Sequence, residues 1–236
     1  MLRYILLILF LPPWTVFWAL IAILGRLLTN SFRPGFWVGR IWSRGILWVA
    51  RVKLRVSGLE RLEPGRRYIF IANHTSAFDI PALYAVLPGP ITMLAKKELR
   101  RVPIFGWAMW AAGHFFVDRK RRDRAVRSME QVTRQIQRSI FSLVVFPEGT
   151  RSLNGQLQPF KKGAFVLSCK TGIPIVPIVI NGAFRIKSKY ARRIRPGTIR
   201  LEILSPLDPA RYGMAFRQQY LEEARRIFTR HYQPPI

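Results

Sequence analysis

Residues 70–80 read FIANHTSAFDI. The apolar run stops on Asn73-His74, and a lone carboxylate, Asp79, follows five residues after the histidine. A segment that only filled a core would have stayed apolar. An Ile- and Phe-rich run that breaks on polar residues and then resumes at helical spacing reads as a buried strand turning into a helix. In α/β folds, ligands bind beyond the C-terminal ends of strands, where such turns meet helix N-termini. On one regular helix a spacing of five gives about 140° of rotation and about 7.5 Å of rise, which would keep His74 and Asp79 apart. They meet only if His74 lies in the turn and Asp79 in the first helical turn, folded back towards it. A carboxylate that accepts one imidazole N–H fixes the tautomer and leaves the other nitrogen free to take a proton from a hydroxyl. His and Asp also cap helices, and the spacing alone leaves both readings open.

The same grammar recurs at residues 139–152, SIFSLVVFPEGTRS. A buried strand runs into a turn carrying an acid, Glu148, and a base, Arg151. The planar fork of an arginine suits a phosphate, and Glu148 is placed to orient that arginine or a substrate hydroxyl. Lys96 follows another strand-like run, and Arg119 follows a third in GHFFVDRKRRDR. Both stand where an anionic ligand would meet the sheet. The remaining arginines up to Arg138 fall on a helical pattern and read as a solvated or headgroup-facing surface. His114 and His231 read as structural or solvated. Cys169 sits in an apolar helical stretch, where a buried, inert thiol is the usual case.

Outward from these two turns the texture is regular. Strands are expected at 52–57, 67–72, 91–95, 115–117, 141–146, 175–180 and 198–204. Helices are expected at 78–87, 104–113, 122–139, 161–170 and 215–231. Strands alternating with helices predict an α/β fold, with a central, mostly parallel sheet flanked by helices on both faces. Short breaks such as PGP at 88–90 and RPG at 195–197 fall between elements, as turns should.

The N-terminal segment is different. Tyr4 to Gly25 contains no charged residue, and about 20 apolar residues are enough to span a bilayer. Pro12-Pro13 would kink that helix or divide it into two limbs, so a single span and a re-entrant hairpin are both open. No small-residue cleavage site follows, which argues against a removed signal peptide. Residues 31–51 mix Trp, Ile and Leu with Arg at helical intervals and read as an interfacial amphipathic segment with snorkelling arginines. The expected division is a membrane anchor at 1–50 and a catalytic domain at 51–236. Basic residues after the apolar stretch place that domain on the cytoplasmic face by the positive-inside rule.

The chain carries 39 Lys+Arg against 12 Asp+Glu over 236 residues, a net charge of +27. That field favours anionic partners. The apolar segment selects an anionic lipid membrane, and no nucleic acid is expected. One cysteine and three histidines make a dedicated zinc site unexpected.

Four ordered blocks, NHTSAFD, KKELRRVPIFG with GHFFVDR, FPEGTRS and GIPIVPIVI, resemble the 1-acyl-glycerol-3-phosphate acyltransferase family. The resemblance runs from about residue 50 to 205 and implies transfer of a fatty acyl group to the free hydroxyl of a lysophospholipid. It implies His74 as general base oriented by Asp79, and Lys96, Arg119 and Arg151 as holders of the acceptor phosphate. Glu148 would position the glycerol end, with Asn73, Gly149 and Thr150 as further substrate contacts. Backbone N–H groups after His74 would receive the oxyanion. The implied donor is acyl-coenzyme A or acyl-carrier protein, used as a co-substrate with no metal or bound cofactor. The same blocks fit sibling acceptors, namely other lysophospholipids, lyso-aminolipids or glycerol 3-phosphate, and the charge by itself would also fit a non-enzymatic basic protein that binds membranes or nucleic acid.

Overall fold

The computed structural model describes residues 2–118 and 122–235, with side chains for 9–118 and 123–235. Seven strands form one sheet: β1 (Val52–Ser57), β2 (Ile69–Ala72), β3 (Ile91–Lys96), β4 (Phe115–Val117), β5 (Ser142–Val145), β6 (Ile175–Asn181) and β7 (Gly197–Ile203). Their spatial order is β1-β7-β6-β2-β5-β3-β4. The pairs β6-β2, β2-β5, β5-β3 and β3-β4 are parallel, whereas β6-β7 is antiparallel. Every residue of β2, β5 and β6 is buried, as expected of strands covered on both faces. Pro177 lies within β6, just before the antiparallel pairing with β7 begins at Ile178, so its missing N–H interrupts no bond of that ladder.

The helices are α1 (Leu2–Thr29), α2 (Arg33–Val49), α3 (Asp79–Val86), α4 (Phe105–Ala111), α5 (Arg122–Gln137), α6 (Gly163–Thr171), α7 (Ala183–Ile186) and α8 (Arg217–His231). The crossover from β2 through α3 to β3 moves one way along the sheet, and that from β5 through α6 to β6 moves the other way. Right-handed crossovers of opposite direction place α3 and α6 on opposite faces. The packing agrees: α3 meets α2, and α6 meets α5 and α8. Between the layers, Ile69, Phe70, Ile71, Leu143 and Phe165 are almost wholly buried. Each such side chain contributes about 1.5–3 kcal/mol of transfer free energy.

Two features of the N-terminus bear on the readings left open above. The apolar segment is a single helix that continues through Pro12 and Pro13, rather than two limbs or a hairpin. The reason lies one turn on, where α2 grips it. The Trp14 Nε1–H donates to the Trp42 carbonyl (3.1 Å), and the Trp42 Nε1–H donates to Thr15 Oγ1 (3.0 Å). The two helices also approach closely, because a Cβ on Gly45 would stand only 2.4 Å from the Trp14 ring. The second feature concerns α2. Its apolar side, with Phe36, Ile46 and Leu47, is buried in the protein core, and the helix packs against α1 and α3. Only Trp37, Ile41 and Trp48 remain as its large exposed apolar side chains. Residues Leu9–Thr29 are long and apolar enough to cross a membrane.

Candidate active site

Adjacent β2 and β5 send their following connections in opposite directions, so the cleft beyond their C-terminal ends is a topological switch point, where open α/β sheets bind ligands. His74 leaves β2 there, and Glu148–Arg151 leave β5. The structure therefore brings the two sequence stretches together in one place.

Asp79 opens α3 and turns its carboxylate back into the preceding turn. One oxygen, Oδ2, accepts from the Thr75 N–H, the Ser76 N–H and the His74 Nδ1–H, each at 2.8 Å. Folding back solves the spacing problem, because His74 is in the turn and Asp79 in the first helical residue. Asp79 is fully buried, and the His74 side chain keeps 14% of its surface open. Among the described residues Nε2 of His74 has no hydrogen-bond partner. The imidazole lies flat on Phe146, with ring centroids 3.9 Å apart and planes inclined by 17°. A carboxylate behind and an aromatic floor beneath hold the ring, so Nε2 is the nitrogen left unengaged.

The loop after β5 holds the backbone of the same histidine from both sides. The His74 N–H donates to Glu148 Oε1 (2.7 Å), and the Ser152 N–H donates to the His74 carbonyl (2.8 Å). The other oxygen of Glu148 accepts from the Gln158 N–H (3.0 Å). Glu148, only 3% exposed, is thus a clasp between two strand ends, with an oxygen committed to each side. Gly149 adopts a left-handed φ of +75°, and a Cβ there would come 2.9 Å from the Lys161 amine. The positive φ favours glycine here, whereas the lysine amine, at the end of a flexible side chain, could swing aside.

The other expected site residues divide. Arg151 is half-buried at the same strand end, and among the described residues no carboxylate lies within ion-pair distance of it. Thr150 is exposed beside it. Lys96 ends β3, two strands from β2 and so about 10 Å away at typical strand spacing. Its amine is exposed and faces Glu98 at 3.7 Å. Arg119 lies outside the described residues. Asn73 is placed differently from a substrate contact. It is fully buried, donates to the Ile180 carbonyl (2.8 Å) and accepts from the Ile180 N–H (2.7 Å), so its amide ties β2 to β6. Three of the expected backbone oxyanion donors are also committed. The Thr75 and Ser76 N–H groups bind Asp79, and the Phe78 N–H binds Ser76 Oγ.

Sequence reasoning missed Phe146 and Lys161. The signal for Phe146 was its place as the last apolar residue before the turn. Lys161, in FKKG, gave none beyond charge. It also missed Tyr232, whose hydroxyl donates to the Gly155 carbonyl and steadies the loop that carries Gln158. Cys169 is half-buried, directs its thiol at the Gly213 carbonyl (3.3 Å) and has its pKa raised by burial.

Burial pushes the Glu148 carboxyl up to about 7. Its two N–H donors pull the other way, and the nearby Asp79 charge adds a smaller push. A carboxyl raised from 4.5 to about 7 binds more protons folded than unfolded between those values, so its contribution to stability is lost as pH rises through 7. The size is about 3 kcal/mol. His114 works in the opposite sense. It accepts from the Met93 N–H and is bonded to the Tyr84 hydroxyl, and burial lowers it to about 4. Its contribution is therefore lost as pH falls below about 6.5 towards 4. Glu148→Gln is expected to make thermal stability rise more steeply with pH between 5 and 7 than in wild type. Melting curves across that range test this, and parallel profiles would refute the Glu148 assignment.

The acyltransferase family model matches residues 53–181. The 1-acyl-sn-glycerol-3-phosphate acyltransferase of Cocos nucifera is 32% identical over 199 residues, covering 84% of this chain and 64% of its own length. The Homo sapiens 1-acyl-sn-glycerol-3-phosphate acyltransferase alpha is 32% identical over 205 residues, covering 87% of this chain and 72% of its own. The crystal structure of the 1-acyl-sn-glycerophosphate acyltransferase PlsC from Thermotoga maritima superimposes with a TM-score of 0.81 at 24% identity, over 97% of this chain and 91% of that one. That structure shares the fold. On the family match and the identity to these relatives, the chain belongs to the 1-acyl-sn-glycerol-3-phosphate acyltransferase family.

Proposed function

We propose that this protein moves a fatty acyl group from an acyl thioester to the free hydroxyl of lysophosphatidic acid, forming phosphatidic acid. The observation that carries the reading is the Asp79-held His74, with Nε2 unengaged at the switch point beside Arg151. His74 Nε2 takes the proton of the acceptor hydroxyl as its oxygen attacks the thioester carbonyl carbon. Asp79 stabilises the imidazolium formed. The tetrahedral intermediate then collapses, the carbon–sulfur bond breaks, and the thiolate recovers the proton from His74. The products are the diacyl lipid and a free thiol, of coenzyme A or of acyl-carrier protein. The thioester arrives activated, so this scheme uses no metal or bound cofactor. Arg151 and Lys96 hold the acceptor phosphate, with Lys161 beside the Gly149 turn as a further cation. Glu148 acts on the backbone of His74 and not on the glycerol. In this reading residues 1–50 anchor the protein in an anionic membrane, and residues 51–236 work at its cytoplasmic face.

The test is acyl transfer in liposomes with lysophosphatidic acid and labelled acyl-coenzyme A or acyl-carrier protein. Phosphatidic acid is the expected product. Product only with a lyso-aminolipid or glycerol 3-phosphate would move the acceptor, and silence across that panel would end the proposal. Arg151→Ala is expected to raise KM for lysophosphatidic acid about 10- to 100-fold, the size of one lost charge-assisted contact. The donor KM should stay within about twofold, because uniform binding is lost for one substrate only. Equal rises for both substrates would remove Arg151 from the phosphate site.

A further inference from the structure

No acidic residue stands between Glu148 and Glu202, and six of the eleven residues from Arg185 to Arg195 are Lys or Arg. This segment follows β6, the neighbour of β2 on the side away from β5. It is a folded loop, closed by the Arg195 N–H to the Ile186 carbonyl (3.0 Å) and the Ala191 N–H to the Ser188 carbonyl (3.3 Å). The Lys187 amine donates inward to the Ser188 carbonyl (3.3 Å) and to that of Ala191. The loop is also fastened to the catalytic turn, because Ser76 Oγ, two residues from the proposed base, donates to the Lys187 carbonyl (2.7 Å). Burial and, second, the Arg151 guanidinium lower the pKa of Lys187. Arg185, Arg192, Arg193 and Arg195 are exposed, and among the described residues no carboxylate pairs with them.

We infer that this loop binds the nucleotide head of an acyl-coenzyme A donor, an inference that rests on the thioester-to-hydroxyl reading above. Coenzyme A presents a diphosphate, a further phosphate on the ribose and a purine. Unpaired arginines offer forked donors to the phosphates. Tyr190, 77% exposed among them, offers a face on which a base stacks. A membrane surface fits the loop less well. Tyr190 is its one large exposed apolar side chain, whereas exposed leucines and tryptophans cluster on α1, α2 and α4. An acidic carrier protein has no purine for Tyr190, and it would need an interface of about 800 Å² on each partner, more than a compact loop provides. The sheet order then separates the substrates, with the donor head on the β6 side of His74 and the acceptor phosphate on the β5 and β3 side.

The experiment uses the full chain in detergent micelles and the exposed-residue variant Arg192→Gln/Arg193→Gln/Arg195→Gln, with Tyr190→Ala as a second variant. Binding of adenosine 3′,5′-bisphosphate is measured by calorimetry. KM is measured for acyl-coenzyme A, for a nucleotide-free acyl-pantetheine and for lysophosphatidic acid. Wild type is expected to bind the bisphosphate, and the triple variant to bind it at least about tenfold more weakly, with a similar rise in the acyl-coenzyme A KM. Values for acyl-pantetheine and lysophosphatidic acid should stay within about twofold, since neither carries the nucleotide. Unchanged bisphosphate binding, or equal losses with acyl-pantetheine, would overturn the assignment. So would a loss confined to acyl-carrier protein as donor, or a loss of anionic-vesicle binding with donor constants intact. Calorimetry needs no turnover. Nucleotide binding that depends on the loop, without transfer to lysophosphatidic acid, would therefore fail the acceptor reading alone. Transfer with unaltered nucleotide binding would fail only this inference.

Discussion

His74→Ala is expected to lower kcat for acyl transfer about 10⁴-fold, the upper range for a general base, while the melting temperature and membrane binding stay close to wild type. The expectation of an intact fold has a structural basis. The ties that hold position 74 are made by its backbone, to Glu148 Oε1 and from the Ser152 N–H, and an alanine keeps both. What disappears is the imidazole on Phe146 and the proton acceptor at Nε2. Asp79 loses one of three donors but keeps the Thr75 and Ser76 N–H groups, so the turn persists. Paired liposome assays and melting curves decide the matter. Turnover within tenfold of wild type would remove His74 from the chemistry.

Asp79→Asn is expected to cost about 10³-fold in kcat, with a much smaller change in either KM. Only one carboxylate oxygen carries the three hydrogen bonds, and Oδ1 is buried without a partner among the described residues. An asparagine can therefore place its carbonyl where Oδ2 was and its amide group in the position of Oδ1, keeping the turn. It cannot supply the negative charge that stabilises the imidazolium in the transition state, and a transition-state loss appears in kcat. Asp79→Ala, which leaves two backbone N–H groups unsatisfied in a buried turn, should also lower stability. A D79N enzyme with an unchanged kcat and a raised acceptor KM would mean that Asp79 serves binding rather than the base.

The strands and helices were legible because their patterns are local. FIAN and SLVVF are apolar runs broken by polar turn residues, and every expected strand appears within two residues of its place. The short α7 was missed, because four residues carry too little periodicity to read. The reversed direction of β7, and of β1 which pairs with it in parallel, was also invisible. Strand direction depends on which neighbour accepts the hydrogen bonds, and nothing in GTIRLEI records that.

The candidate site was legible to the extent that its residues lie at strand ends. His74, Asp79 and Arg151 could be named because polar groups interrupt apolar runs at those positions. Asn73 and Glu148 were expected as substrate contacts, since both residue types suit a ligand as well as a backbone clasp. Their hydrogen bonds run to Ile180 and His74, which are far away in the sequence, and to Gln158, further along the loop after β5.

The sequence by itself determined the α/β alternation, the apolar N-terminal segment, the basic surface and the positions where polar groups meet strand ends, because short-range periodicity and charge encode each of these. Only the tertiary structure decided that β2 and β5 are neighbours with opposed connections, which makes one cleft of two turns. It also decided that the Thr75 and Ser76 N–H groups are already committed to Asp79, and that α1 continues through its prolines against α2. Those outcomes depend on hydrogen bonds and packing between segments far apart in the chain, which local patterns do not specify.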